Sequence, residues 1–377
     1  MQCVVHYKAE LERLYEKSED PYSRPLYNYR ARFHQRDRQS HRSHWQSALK
    51  VFQQTLAKAQ ETNDRVSQVN ILKRIGLVHC KLEEYAWGVK CLEQALQIAK
   101  EIGNRTSIGV ILNYIAAAYR QTGQNYKALK VYLQALAIFK DIGDEVSIAR
   151  IFNRLGEVYN SLGQSEQALC CCRQALKMFH DIDNSPDCEG AVLHNIGEAH
   201  LQLGRPRAAL AFFEQALAIC HKVHNRNAEA ATLESIGTAY VKLNQDAQAL
   251  DFYQQALEIR HSVGELPSAE ARNLDYLGAV YYKLGKYSLA LWHHFQALGI
   301  LRILNYTPSC TTFLNNTADS ERFLQPLVAI YDRLGLHDQG VKCYEQALEL
   351  VRTFGDNPSK EAILNYFEQD GNPSTKG

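Results

Sequence analysis

The chain has 377 residues, with Lys plus Arg at 42 against 41 for Asp plus Glu, and only 9 Pro and 21 Gly to punctuate it. A charge balance so near zero excludes global attraction to nucleic acid or an anionic membrane, and so few breakers favour one continuous architecture over domains strung on linkers. An apolar share of 46% can bury a sizeable core, which excludes a disordered chain.

The first twenty residues, MQCVVHYKAELERLYEKSED, carry charges every few positions and lack the apolar centre of a signal peptide. No run of about 18 apolar residues, the length that spans a bilayer, occurs anywhere, so the expectation is a soluble cytoplasmic protein. Val4, Tyr7, Leu11, Leu14 and Tyr15 share one face of a helix over residues 4 to 18. Residues 21 to 45 hold six arginines (Arg24, Arg30, Arg32, Arg36, Arg38 and Arg42) and one Asp, interleaved with Tyr22, Tyr27, Tyr29 and Phe33. Such a patch can stack on bases and neutralise phosphates. The competing reading, a solvated and partly ordered arm, is the one favoured, because charge runs usually mean loose tails.

From His44 a repeat takes over. The segment from Ile71, ILKRIGLVHCKLEEYAWGVKCLEQALQIAKEIGNR, aligns with ILNYIAAAYRQTGQNYKALKVYLQALAIFKDIGDE from Ile111 at an offset of 40 residues. A small residue recurs at Gly76, Ala116, Gly156, Gly197, Gly237 and Gly278. A second follows twelve positions later at Gly88, Ala128, Ala168, Ala209, Ala249, Ala290 and Gly340, and a third seven beyond at Ala95, Ala135, Ala175, Ala216, Ala256, Ala297 and Ala347. An aromatic or His stands three after the first small residue, at His79, Tyr119, Tyr159, His200, Tyr240, Tyr281 and, in a seventh unit, Tyr331. Each unit reads as two amphipathic helices joined by a short turn such as Gly123-Gln124 or Gly163-Gln164. The small residues let the helices approach, and Leu92, Tyr132, Phe213, Tyr253 and Tyr344 are expected to fill the gap towards the neighbouring unit.

Leu-Gly, a Tyr three later and small residues at offsets of twelve and seven resemble the tetratricopeptide repeat, over about residues 69 to 352. The usual Pro closing the second helix is absent; Lys100, Lys140, His180, His221 and His261 stand there, so the helix should run on to turn signals at Gly103, Gly143, Asp183 and Gly264. Units of 40 residues are similar to those of kinesin light chain, spindle-orientation adaptors and bacterial peptide-sensing receptors. The resemblance implies an all-α fold, a right-handed superhelical solenoid of antiparallel helix pairs with about seven repeats and terminal cap helices. Residues 1–43 form the N-terminal helix and Arg/Tyr-rich arm, irregular over 19 to 43. Residues 44–352 form the solenoid, with a half repeat at 44–62 and an insertion at 305–322. Residues 353–377 form a capping helix and tail. The seventh unit is degenerate, with Pro326 in its first helix and Val328 for the small residue, as a terminal unit would be. Met1 and the capping helix point to a complete chain, although a piece of a larger signalling protein is the alternative.

In such a solenoid the first helices line the concave side. Three residues before each small residue runs the row Lys73, Asn113, Asn153, His194, Glu234, Asp275 and Gln325, which passes from basic to acidic. Successive Asn side chains can pair with the backbone of an extended peptide, and Asn195 lies beside His194. Against the clamp with which some tetratricopeptide proteins hold a terminal carboxylate, Lys73 matches the first Lys, and Arg150 and Arg154 fall at the last two cations. Leu77 and Tyr114 replace its two Asn. The expected groove is therefore Lys73, Asn113, Arg150, Asn153, Arg154, His194 and Asn195, with Glu157 and Glu198 beside it.

No phosphate-cradling Gly loop, HExxH or GxSxG occurs, and the adjacent rings of His293 and His294 diverge on a helix. The ten Cys are scattered, and the consecutive Cys170, Cys171 and Cys172 cannot converge on one metal. The sequons at Asn104, Asn305 and Asn315 carry no weight without secretion. The expectation is a non-enzymatic, cofactor-free scaffold or adaptor that binds a protein or peptide. The alternatives are a bacterial-type peptide-sensing regulator, for which no preceding effector domain is evident, and an adaptor touching nucleic acid through the Arg-rich arm.

Overall fold

The computed structural model describes residues 27–82, 84–182, 186–263 and 267–286, and helical residues between 289 and 300 with gaps; side chains are described from Ser43 onward. The insertion at 305–322, the seventh unit with Gln325 and Tyr331, the cap at 353–377 and the helix at 4–18 lie outside the described residues. The chain divides into two units, Phe33–Glu265 and the pair of segments Met1–Arg32 with Leu266–Gly377.

All regular structure among the described residues is helical. A long helix, α1 (Tyr27–Glu61), is followed by five helix pairs: α2 (Arg65–Lys81) with α3 (Tyr85–Glu101), α4 (Arg105–Gln121) with α5 (Asn125–Ile142), α6 (Glu145–Ser161) with α7 (Ser165–Ile182), α8 (Pro186–Gln202) with α9 (Pro206–Lys222), and α10 (Arg226–Lys242) with α11 (Asp246–Val263). In the other unit α12 (Pro267–Lys283) precedes the last described helical residues. The expectation of an irregular segment at 19 to 43 is corrected from Tyr27 on, where the chain is already helical. No Gly or Pro interrupts residues 27 to 61, and Arg and Gln are good helix formers.

Local chemistry sets the helix ends. The side chains of Asp64, Asn104, Asp144 and Asn225 accept the N–H of the third residue on, at 2.9 to 3.1 Å, and so cap α2, α4, α6 and α10. Losing such a cap costs about 1 kcal/mol. Asn104, the sequon residue, is one of them. The turns need a left-handed residue, and at Gly103, Gly123, Gly143, Gly163, Gly204 and Gly285 φ lies between +68° and +78°.

The small residues mark helix crossings. From Ala128 and Ala135 in α5 to Ala249 and Ala256 in α11, the second and third small positions are fully buried. The large residue sixteen after each first small residue packs onto that residue in its own pair. A Cβ on Gly197 would lie 2.4 Å from Phe213 Cε1, one on Gly237 2.8 Å from Tyr253 Cε1, and one on Gly156 2.3 Å from Cys172 Sγ. The large side chains thus fill the crossing inside a pair before they reach the next. Phe213 also meets Ile236 and Ala239 of the following pair, so one ring serves both contacts. The aromatic or His three after the small residue finds its own partner: His200 stacks on Phe212 and Tyr240 on Phe252 at 5.2 to 5.3 Å. In the second unit Tyr281 stacks on His293, and the fully buried His294 occupies the crossing beside Gly278.

Between pairs, each second helix packs on the next first helix, and the first helices also touch one another, α2 with α4, α6 with α8, and α8 with α10. Second helices of successive pairs are not in comparable contact. The first helices therefore form the inner wall of the Phe33–Glu265 solenoid.

Candidate protein-binding wall

Over α2, α4 and α6 the wall presents polar groups with little to hold them. Lys73 is half-buried, and among the described residues it reaches only Asn70 Oδ1, at 3.3 Å. Asn113, half-buried on α4, makes no side-chain hydrogen bond among the described residues. Arg150 is exposed on α6 and has no ion-pair partner among them. One turn on, Arg154 Nη1 donates to both oxygens of Glu157 at 3.0 Å, and Glu157 also meets Arg120 Nη1 of α4 at 3.5 Å. Glu157 holds the Arg154 guanidinium above its ordinary pKa.

Further along, the same register is sealed. Asn153 is buried, and its Oδ1 accepts from Asn195 Nδ2 at 2.8 Å; the backbone carbonyl of Asn195 accepts in turn from Asn160 Nδ2 at 2.9 Å. Asn153 and Asn195, expected as free groove groups, are thus consumed in the α6–α8 contact, because a buried amide must find protein partners. Glu234 is buried against Arg260 of α11 at 2.5 Å. In the second unit Asp275 lies 2.9 Å from His294, with both buried. His194 keeps partial exposure but is tied sideways. The Thr232 hydroxyl donates to Ala228 O at 2.8 Å and lies 3.3 Å from His194 Nδ1. Glu198, also beside His194, accepts from Ser235 Oγ.

Of the expected groove residues, the structure brings Lys73, Asn113, Arg150 and Arg154 to the wall over three successive first helices and turns Asn153 and Asn195 inward. Sequence reasoning missed Arg120 and Tyr132, which meet Glu157 and Arg154 from α4 and α5. Only Arg120 itself, a cation where the other units carry Cys80, Asn160, Leu201, Val241 and Tyr282, could have signalled them. Among the described cysteines, Cys80, Cys171 and Cys172 are packing groups. Burial pushes the Cys172 thiol up to about 12 and those of Cys80 and Cys171 up to about 11, which keeps them protonated and poor nucleophiles. No group of three His, Cys, Asp or Glu among the described residues is arranged to hold a metal. None of the described helices is long and apolar enough to cross a membrane. The six arginines from Arg24 to Arg42 lie outside the residues whose side chains are described.

No curated protein matches the sequence. Among solved structures, the Rap conjugation gene regulator of plasmid pLS20 in complex with the Phr* peptide matches at 16% identity and a TM-score of 0.57, over 82% of this chain and 78% of that one. A Rap protein complexed with Competence and Sporulation Factor matches at 15% identity and a TM-score of 0.55, over 83% of this chain and 97% of that one. A putative kinesin light chain of Podosopora anserina with nearly identical TPR-like repeats matches at 20% identity over 50% of this chain and 92% of that one, with a TM-score of 0.41. The tetratricopeptide repeat model matches residues 67–141, 107–181 and 188–262, and a second model of the same repeat matches 327–352 in the seventh unit. The first three spans alone cover more than half of the sequence and coincide with the helix pairs from α2 to α11, so the chain belongs to the tetratricopeptide repeat family.

Proposed function

We propose that this protein is a non-catalytic interaction scaffold, an adaptor that holds an extended segment of a partner protein along the first helices α2, α4 and α6. The carrying observation is the contrast along one register. Lys73, Asn113 and Arg150 retain unspent hydrogen-bonding and charge capacity, whereas Asn153, Asn195 and Glu234 are satisfied internally. Unspent donors at the spacing of successive helices suit a peptide backbone and its side chains. Two Rap proteins of the same fold, one a conjugation gene regulator solved with the Phr* peptide and one solved with Competence and Sporulation Factor, support the reading. The test is capture of partners from native lysate by wild type and by a Lys73→Ala, Asn113→Ala, Arg150→Ala variant, with Lys90→Ala, Lys130→Ala on the second helices as control. Loss confined to the first variant is the expected result. Equal retention by all three proteins would overturn the assignment of the wall.

The match over 97% of the Rap chain favours one second reading, a peptide-responsive regulator. Under it, adding a peptide ligand would change how much partner is retained. A pure adaptor would lose its partner only to a peptide copied from that partner.

A further inference from the structure

We propose that the corner where α4, α5 and α6 meet is an anion subsite that receives an acidic side chain of the bound segment; this rests on the wall reading above. Tyr132 of α5 is fully buried, and its hydroxyl makes no hydrogen bond. The Arg120 guanidinium lies close enough to that phenol to bond it weakly, and its buried Nε makes no well-formed hydrogen bond. Two buried donors in one corner are rare, because each costs the free energy of its lost hydration. The repeat shows that the omission is local. In the corresponding crossing of α10 and α11, Tyr253 hydroxyl is met at 2.9 Å by Thr238, and the residue at the Thr238 position here is Ala117. The hydroxyl that meets Tyr253 has no counterpart at Tyr132, which has only the Arg120 guanidinium beside it; that group is a donor, so the phenol proton is left without an acceptor.

The charges say what kind of acceptor fits. Arg120 and Arg154 flank Glu157, and Arg150 stands one turn from Arg154 on the same face of α6, so the cations outnumber the single carboxylate. Both cations act on the Tyr132 phenol, whose pKa is nonetheless raised because burial dominates. Glu157 is 17% exposed and spans the two arginines, where it takes the place an incoming carboxylate would occupy. A ligand acid that displaces Glu157 gains Arg154 and reaches the Tyr132 and Arg120 donors, and charge-assisted bonds of this kind are the strong ones. Glu157 is thus a built-in competitor that sets a threshold for acidic ligands.

The probe is a fluorescein-labelled peptide of six glutamates, titrated by anisotropy at about 0.15 M salt, where exposed charges more than about 8 Å apart are largely screened. Tyr132→Phe should weaken binding about tenfold while the unbound protein melts no lower, because a buried unmet hydroxyl has been removed. Glu157→Gln should tighten binding about tenfold, and Glu157→Asp, which withdraws the carboxylate by one methylene, stands in if the Gln variant does not fold. Equal affinities for wild type and Tyr132→Phe, or no binding by wild type, overturn the subsite. Inorganic phosphate should compete only weakly; protection by phosphate without peptide binding would make this a free-phosphate site and overturn the side-chain assignment. Lys73→Ala with Asn113→Ala separates the two levels. If that pair loses the lysate partner while Tyr132→Phe changes nothing, the wall stands and the subsite falls.

Discussion

Asn195 Nδ2 donates to Asn153 Oδ1 at 2.8 Å, across the contact between two successive first helices and out of reach of solvent. Truncating Asn153 to Ala strands the Asn195 amide, and an unmet buried group costs about 1–3 kcal/mol. Asn153→Ala should therefore lower the melting temperature, whereas Asn113→Ala, with no bond to lose, should stay within about 0.5 kcal/mol of wild type. Thermal melts of the two variants check this, and an unchanged melt for Asn153→Ala would show that the wall is not sealed at that point.

The crossing of α8 and α9 leaves no room for a methyl group at Gly197, since its Cβ would lie 2.4 Å from the Phe213 ring. Gly197→Ala should destabilise by about 1–3 kcal/mol, the usual cost of overpacking. Adding Phe213→Leu should recover part of that loss, a non-additivity read from urea denaturation of the single and double variants. Ala168→Leu, at a fully buried crossing of α6 and α7, should do at least as much damage.

Two histidines make stability sensitive to acid. Burial holds His200, stacked on Phe212, below its ordinary pKa, and lowers that of His293 to about 3. In the unfolded chain both titrate near pH 6.5. The unfolded state therefore binds protons first as pH falls, so the contribution is complete above about pH 6.5 and is lost below it, for His293 over the whole interval down to about 3. Urea midpoints at about pH 7.5 and about pH 5 should differ in that sense, and His200→Phe with His293→Phe should flatten the difference.

Alkylation with iodoacetamide should divide neighbouring thiols. Cys170 is exposed and should react in the native protein, while Cys172, fully buried with its pKa pushed up to about 12, should react only after unfolding. Peptide mapping by mass spectrometry reads both sites in one digest, and native labelling of Cys172 would contradict its place in the α6–α7 crossing.

The helix pairs were legible because their determinants are local. Gly197 and Phe213 sit sixteen positions apart, and the Asp or Asn that caps a first helix lies one residue before it. The fate of the polar row was not legible, because it depends on partners far along the chain. Asn153 is satisfied by a residue 42 positions away and Glu234 by one 26 away, while Asn113, at the same register as both, has no partner among the described residues. The Arg-rich segment misled for the opposite reason. Its charge suggested a loose arm, yet from Tyr27 nothing in it breaks a helix. Tyr132 was read as a spacer, and only the Ala at position 117, where the α10 repeat has Thr238, hints that its hydroxyl proton lacks an acceptor.

Because each large side chain closes the crossing of its own pair, most cohesion in Phe33–Glu265 lies between neighbours in sequence. Such a chain behaves as a row of coupled elements, each with its own opening equilibrium, and its denaturation need not be all-or-none. A segment gripped by α2, α4 and α6 would act as a splint on three elements at once. Hydrogen exchange would then slow across that stretch and leave α10 and α11 to open as before.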